Sequence, residues 1–355
     1  MSVEPAPAAK PPRKFLPWAA AAIGLLLLVA FGWTQLWRFA AGESEKTIEA
    51  WIAREKSFGR IWSCPERKIE GFPFAIEIAC AKPRFDGVIF GRHFAGGLNG
   101  LRATAVLTHP SAVTAQIASP FAVLSDDRKI DLELAWNSLD VVLDGLPQNI
   151  WRVTITGEKL VLRGNWESIG AINGTADHLS ADAAEHPEQS DRAYDFKVAV
   201  SDATLPDIDR FLGATLPAEI GAQGTLTEAA FDPSLTVAEN IDHWRAAGGR
   251  LDLVDASLAH GETTFKAHGA LSLDDSHRVE GKLDTESRGF EPLLLRLGVN
   301  PMLVSAGALL SNLIAGALPS RAETPPETLI VTIGFDSGRV SIGPARTSIR
   351  VPPLY

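Results

Sequence analysis

The side chains that could do acid–base or metal chemistry are scattered along this sequence and match no known motif. The eight histidines occur singly, and none lies three or four residues from another, the spacing that would place two on one helix face. The signatures GxGxxG, GxxxxGKS/T, GxSxG and HExxH are absent, which removes the common nucleotide-binding, hydrolase and zinc-protease patterns. The sequence therefore predicts no catalytic residue, no cofactor and no metal ligand.

Carboxylates are the remaining candidates for catalysis. A periplasmic hydrolase or glycan-modifying enzyme could use two acidic side chains, and Asp86, Glu133 and Asp140 are the ones we consider. Other acidic pairs, Asp126-Asp127 and Asp274-Asp275, coincide with expected turns, where carboxylates usually accept local hydrogen bonds. We keep such an enzyme as the alternative to a non-enzymatic role.

The two cysteines, Cys64 and Cys80, are the residues to which the sequence gives a definite role. They form no CxxC pair and have no histidine or aspartate at metal-ligand spacing. If this segment is exported, an oxidising compartment allows a disulfide between them. In the chain-entropy model that bond would add roughly 3 kcal/mol of stability. Two buried free thiols are the alternative.

An uncharged apolar segment near the N-terminus must place the rest of the chain. Residues 15–37 read FLPWAAAAIGLLLLVAFGWTQLW, and at 1.5 Å per residue they cross the roughly 30 Å hydrocarbon layer of a bilayer. Trp18, Trp33 and Trp37 lie where aromatic belts occur. We predict a single transmembrane signal anchor at residues 15–37. A signal peptide cleaved shortly after it is the alternative.

The distribution of charge indicates the orientation of this anchor. Lys10, Arg13 and Lys14 precede it, so the positive-inside rule leaves residues 1–14 as a disordered cytoplasmic tail and residues 43–355 in the periplasm. The chain as a whole has a net charge of −10, which opposes binding to nucleic-acid phosphates. We expect the inner membrane, a lipid or an envelope protein as partners, and no nucleic acid.

Alternation of apolar and polar residues dominates the exported part. In GFPFAIEIAC, Phe72 to Cys80, every second side chain is apolar or cysteine, as in a half-buried strand. Similar runs and frequent turn signals predict a mainly β domain with a few helices, built on a curved antiparallel sheet whose concave face is apolar. The further alternating runs begin at Ile130, Phe196, Phe265 and Leu329, and the turns are expected at Asp86-Gly87, Asp126-Asp127, Asp144-Gly145, Asp274-Asp275 and Asp336 to Gly338. Residues 182–192 are predicted to form an exposed loop.

Helical periodicity appears in four exported segments. Residues 43–55, 206–212 and 237–247 are predicted to be helices, the last ending at Gly248-Gly249. The fourth covers residues 290–318, where we expect a helix to lie in the apolar groove of the sheet with the side chains of Leu303, Leu310, Leu313 and Ile314. A second membrane span over residues 297–320 is the alternative for this uncharged segment.

The segments GRIWSCPERKIEGFPFAIEIAC and FDSGRVSIGPARTSIRVPPLY resemble an uncharacterised alphaproteobacterial family of envelope proteins, over most of residues 15–355. A more distant likeness to AsmA-like envelope proteins lies in GGRLDLVDASLAHGETTFKAHGALSLDDSHRVEGKL, Gly248 to Leu283. That likeness implies a curved sheet with an apolar inner groove, associated with lipid handling or outer-membrane maintenance.

Two non-enzymatic functions follow from these observations. The apolar face could hold an acyl chain or lipid, since pockets with few polar groups suit such ligands. The sheet could instead dock another envelope protein by an edge or outer face. Both describe a membrane-anchored periplasmic protein of the cell envelope.

Overall fold

The computed structural model of this protein describes residues 15–89, 92–146, 150–167, 170–186, 192–206, 209, 216–232, 234–289 and 328–355. These residues contain two helices, α1 (Phe15–Ser57) and α2 (Val237–Ala246), and one 18-stranded sheet. The strands are β1 (Ile61–Ser63), β2 (Glu66–Glu70), β3 (Ala75–Ala81), β4 (Arg84–Ile89), β5 (Arg92–Val106), β6 (His109–Ser125), β7 (Ile130–Ala135), β8 (Ser138–Asp144), β9 (Arg152–Trp166), β10 (Gly170–Glu185), β11 (Tyr194–Ala203), β12 (Ala218–Leu226), β13 (Leu251–His260), β14 (Thr263–Leu273), β15 (Val279–Arg288), β16 (Leu329–Asp336), β17 (Arg339–Ile342) and β18 (Ala345–Arg350).

The N-terminal helix α1 joins two segments that the sequence predicts as separate helices, residues 15–37 and 43–55. The structure shows one helix of 43 residues, so the predicted break is wrong. The connecting residues 38–42 read RFAAG and contain no proline, and a single glycine costs a helix only about 1 kcal/mol. Among the described residues, α1 is the one helix long and apolar enough to cross a membrane.

The sheet is an antiparallel meander in which each strand from β9 to β18 pairs with the next. Earlier in the chain, the long strands β5, β6 and β9 each pair with two shorter strands placed end to end. β3 and β4 lie along one side of β5, and β7 and β8 lie between β6 and β9. The predicted fold class is confirmed: the protein is mostly β, with few helices, a long N-terminal apolar helix and a large antiparallel sheet.

The cross-strand register gives the sheet one apolar and one polar face. Directly paired residues share a face, so a row can be followed from strand to strand. One row on the face that we name the apolar face consists of Ile78, Ala103, Ala115, Val141, Ile155, Ala181, Val198, Ala222, Ala256, Ala267, Thr285 and Val331. The adjacent row, on the polar face, contains Glu77, Thr104, Thr114, Val142, Thr154, Asp182, Lys197, Gln223 and Asp255.

The strands predicted from alternation are present, with two corrections at their borders. β3 begins at Ala75 and not at Phe72, because residues 72–74 form a turn. The loop predicted at 182–192 is wrong at its start, since β10 continues to Glu185. Asp182 occupies the polar face, where it accepts hydrogen bonds from Arg152 and Thr154. A run of polar residues is thus compatible with a strand that has one solvated face.

One predicted turn is also wrong. Asp86-Gly87 lies inside β4, whereas the turns at Asp126-Asp127, Asp274-Asp275 and 336–338 connect strands as expected, and at Asp144-Gly145 strand β8 ends as expected. Gly87 is needed for another reason. A Cβ atom there would lie 3.1 Å from the Gly59 carbonyl oxygen, so the glycine allows the end of α1 to approach the sheet.

The groove helix predicted within residues 290–318, with Leu303, Leu310, Leu313 and Ile314, lies outside the described residues. The same is true of the alternative second span at 297–320 and of most of the short helix predicted at 206–212.

Candidate apolar binding site beneath a short helix

The three carboxylates considered for catalysis do not meet. All lie on the polar face, but Asp86 on β4 and Glu133 on β7 are separated by three strand spacings, about 14 Å. Asp140 follows Glu133 by seven residues along the same side of β6 and β9, which corresponds to about 20 Å. Paired carboxylates in glycosidases lie only about 5 to 10 Å apart. This set of residues therefore does not form a hydrolytic site.

Five histidines lie within 4 Å of a carboxylate: His93, His178, His186, His260 and His277. His93 lies 3.1 Å from Asp86 and 2.9 Å from Asp126, and the hydrogen bond with Asp126 raises the pKa of its imidazole. Within the described part of the chain, no group of three or more His, Cys, Asp or Glu residues is placed to hold a metal ion. His93 is thus a half-buried imidazole between two carboxylates, near the start of β5.

Helix α2 is delimited by capping residues at both ends. Thr236 is the N-cap: its side chain accepts from the Glu239 backbone N–H, while the Glu239 carboxylate accepts from the Thr236 N–H at 2.7 Å. At the other end, Gly248 has a φ of +78°, a value that glycine adopts without strain. The predicted helix 237–247 is therefore present, one residue shorter.

A buried amide holds the loop that leads into α2. Asn240 is 8% exposed, and its side chain accepts from the Asp232 N–H and donates to the Asp232 carbonyl oxygen, at 2.7 and 2.9 Å. A polar side chain this deeply buried must be satisfied by hydrogen bonds, and these bonds tie Asp232 to α2. Ala229, Ala230 and Phe231 form, together with α2, a roof over the apolar face.

A cavity of about 410 Å³ lies between this roof and the sheet. Its floor is formed by residues of the apolar face that lie opposite one another in register: Leu226, Leu251 and Leu271. Its roof includes Ile241 and Trp244. The indole N–H of Trp244 donates to the Thr227 carbonyl oxygen at 2.7 Å, so the polar atom of this ring is already satisfied. The remaining lining residues are Ala229, Ala230, Phe231, Val237, Asn240, Ser272, Leu273, Val279 and Leu354.

The mouth of the cavity is rimmed by exposed apolar side chains. Phe231 is 72% exposed, Leu354 is 53% exposed and Val237 is 46% exposed. Among the lining residues only Asn240 and Ser272 have polar side chains. Such a site can accommodate apolar chains and offers few groups to orient a polar molecule.

A second region, which we name the helix junction, joins α1 to the first strands. The indole N–H groups of Trp33 and Trp37 donate to the carbonyl oxygens of Pro73 and Ala75 at 2.8 and 2.7 Å. Further along α1, Trp51 packs on Trp62 with ring centroids 5.5 Å apart, and Trp62 packs on Phe85 at 4.8 Å.

A mostly buried ion pair lies at the end of the junction near the C-terminus of α1. The Arg60 guanidinium donates two hydrogen bonds, at 2.6 and 3.1 Å, to the carboxylate of Glu55, which is 6% exposed. The bond with Arg60 lowers the pKa of the Glu55 carboxyl although burial opposes it. A paired, bidentate geometry makes this burial of charge tolerable.

A disulfide stabilises the strands beside the junction. Cys64 and Cys80 are joined across a sequence separation of 16, with Cα atoms 5.7 Å apart. Cys80 lies on the apolar face of β3 and is 7% exposed. The bond therefore ties the segment between β1 and β2 to the sheet.

Together these features define a mostly β protein with an N-terminal apolar helix compatible with membrane anchoring. Residues 37–349 match the model of the family described as uncharacterized protein conserved in bacteria (DUF2125), and because the match covers most of the chain, the chain belongs to that family. No curated protein matches the chain significantly. The match begins at Trp37, so the family model describes the sheet and the later part of α1.

The sequence does not predict the cavity, although the residues of one of its walls follow a local helical pattern. The pattern of residues 237–247 places Ile241 and Trp244 on one helix face. The other wall combines Leu226, Leu251 and Leu271, which only the register of three strands brings together. Without that register, the helix face could be assigned to any part of the core.

Proposed function

We propose that this protein is a non-enzymatic, membrane-anchored protein of the bacterial cell envelope that binds acyl chains or lipids on the apolar face of its sheet. The observation that carries the proposal is the apolar cavity of about 410 Å³ at one end of that face. An acyl chain would replace water there and gain roughly 0.8 kcal/mol for each buried CH₂ group.

The proposed location is the inner membrane, crossed once by residues 15–37, with the N-terminus cytoplasmic and the sheet in the periplasm. Cations precede the apolar segment, at Lys10, Arg13 and Lys14, which supports this orientation. The disulfide between Cys64 and Cys80 supports an oxidising compartment.

The likeness to AsmA-like proteins supports the same role as an analogy. Segment 248–283 contains β13, β14 and the start of β15, and the paired residues of these strands continue the apolar row of the sheet. We also propose that the family relationship is with alphaproteobacterial envelope proteins, as the terminal motifs indicate.

The test is lipid analysis of the purified full chain. Protein extracted in mild detergent should yield bound phospholipid or fatty acid by mass spectrometry after organic extraction. Ala229→Trp places a large ring in the cavity and should remove most of this lipid. Ala199→Trp is the matched control, because Ala199 is a half-buried alanine on the polar face, paired with Gly221.

Lipid counts discriminate clearly between the outcomes. Equal lipid in the wild-type chain and both variants would show that the lipid is carried by α1 and not by the cavity. No bound lipid in the wild-type chain, together with no uptake of added fatty acid, would refute the proposal.

Docking of an envelope protein is the second candidate. Within the described residues, the register gives β18 a neighbour on one side, β17. Strands at the border of a sheet can pair with a strand of another chain. Specific co-purification from mild detergent that is lost on Ser348→Pro in β18, but not on Ser44→Ala in α1, would favour it.

A further inference from the structure

The turn between β2 and β3 is attached to α1 at the point where the apolar segment ends. Trp33 and Trp37 donate hydrogen bonds to the carbonyl oxygens of Pro73 and Ala75, and the Trp37 ring contacts Phe72 edge-on with centroids 5.6 Å apart. These three contacts therefore fix the position of the turn along the axis of α1.

The two tryptophans also indicate the depth of the turn in a membrane. If residues 15–37 cross the bilayer, Trp33 and Trp37 lie in the interfacial layer on the far side, where tryptophan is enriched. A carbonyl oxygen bonded to an indole N–H must lie at the same depth. Pro73 and its neighbours would thus be level with the lipid headgroups.

The exposed side chains of the turn suit that position. Phe74 is 71% exposed and Phe72 is 53% exposed, and Val106, opposite Ala75 in register, is 45% exposed. Large apolar side chains exposed together are unfavourable in water and favourable at the boundary between headgroups and acyl chains.

The other contacts of α1 lie further along the helix, beyond the apolar segment. Glu49 pairs with Arg67 at 3.1 Å, and Trp51 packs on Trp62 of β1, the strand that pairs with β4. The helix therefore runs along the first strands, and the turn at residues 71–74 is at the membrane end of this edge.

We propose that the turn formed by residues 71–74 is a second membrane contact, in which Phe72 and Phe74 insert into the periplasmic leaflet of the membrane that α1 crosses. This inference rests on the proposed anchoring by residues 15–37. The occupant is the phospholipid bilayer itself, because the turn is bonded to the end of the spanning segment. The insertion would hold the sheet upright on the membrane.

Photo-cross-linking in vesicles tests the insertion directly. The full chain carries a photo-reactive phenylalanine analogue at position 74 and is reconstituted in vesicles of phosphatidylethanolamine and phosphatidylglycerol. Position 25, within the span, is the positive control. Position 330 is the matched negative control. Ile330 is 56% exposed, but it lies at the end of β16 opposite to the end that is level with the turn. Correct folding is verified by the disulfide, from mobility on non-reducing gels.

The expected result is phospholipid adducts at positions 25 and 74 and only background at 330. Adducts at 25 but not at 74 would refute insertion of the turn and leave the anchor intact. No adduct at 25 would refute the anchor, and the inference would fall with it. Adducts of position 74 to a second protein chain, without lipid, would show that another copy covers the turn and would also refute the inference.

Discussion

The helix junction and the region beneath α2 are both rich in apolar side chains, but the junction is closely packed whereas the region beneath α2 contains a pocket. At the junction, indole hydrogen bonds, tilted aromatic contacts and the Glu55–Arg60 pair join α1 to the sheet. Beneath α2, apolar side chains of the described residues line an open pocket of about 410 Å³. Side chains that line an open pocket make fewer dispersion contacts than side chains in a close-packed core. The junction is therefore packed for a fixed geometry, whereas the pocket leaves room for the acyl chain that we propose.

Removal of the disulfide should cause the largest loss of stability. The double variant Cys64→Ser, Cys80→Ser releases a constraint across a separation of 16 residues, which is worth about 3 kcal/mol in the chain-entropy model. The measurement is the free energy of unfolding by denaturant in detergent micelles. Dithiothreitol should reduce the stability of the wild-type chain to that of the double variant. An unchanged unfolding midpoint would show that the bond contributes nothing to the junction.

Truncation of the central ring of the junction should be the next largest effect. Trp62→Ala removes the contacts with both Trp51 and Phe85 and should lower the free energy of unfolding by about 2 kcal/mol. Trp166→Ala is the matched control, because Trp166 is 40% exposed against 37% for Trp62. We expect its cost to be below about 1 kcal/mol. Equal losses in both variants would contradict a special role for these aromatic contacts.

The Glu55–Arg60 pair should make the junction sensitive to acid. The folded-state pKa of Glu55 lies below its ordinary value of 4.5, so its contribution is complete above that pH and is lost as the pH falls through the folded-state pKa. Glu55→Gln should cost about 1 to 2 kcal/mol at neutral pH and less in acid. Glu43→Gln, in an exposed pair with Lys46, should have almost no effect. The measurement is unfolding at several pH values, and a constant difference between wild type and Glu55→Gln would contradict the assignment.

The comparison also separates what sequence could predict from what it could not. The N-terminal apolar helix, the mainly β class and the helix ending before Gly248 all depend on local patterns, namely hydropathy, alternation and capping. The junction required knowledge of which backbone atoms meet Trp33 and Trp37. Those partners, Pro73 and Ala75, are about forty residues away, and no periodicity encodes such a contact.

Errors at strand borders have a related physical cause. The polar run that begins at Asp182 predicts a loop, but on a sheet with one solvated face polar residues also fill alternate strand positions. The composition of Asp86-Gly87 likewise predicts a turn. The glycine in fact relieves a close approach of two backbones, which becomes apparent only once α1 and β4 are placed.

The smallest expected change in stability, and the sharpest test of the comparison, concerns the rim of the cavity. Phe231 is 72% exposed, so Phe231→Ser should alter the free energy of unfolding by less than about 0.5 kcal/mol. Its ring would be covered by a bound acyl chain, and its loss should weaken fatty-acid binding about tenfold. Val254→Ser is the matched control, since Val254 is 65% exposed and does not line the cavity. Titration with a fluorescent fatty acid measures both variants. Equal affinities would mean that the rim does not contact the ligand, whereas weaker binding in Phe231→Ser alone would separate a binding region from the junction that merely supports it.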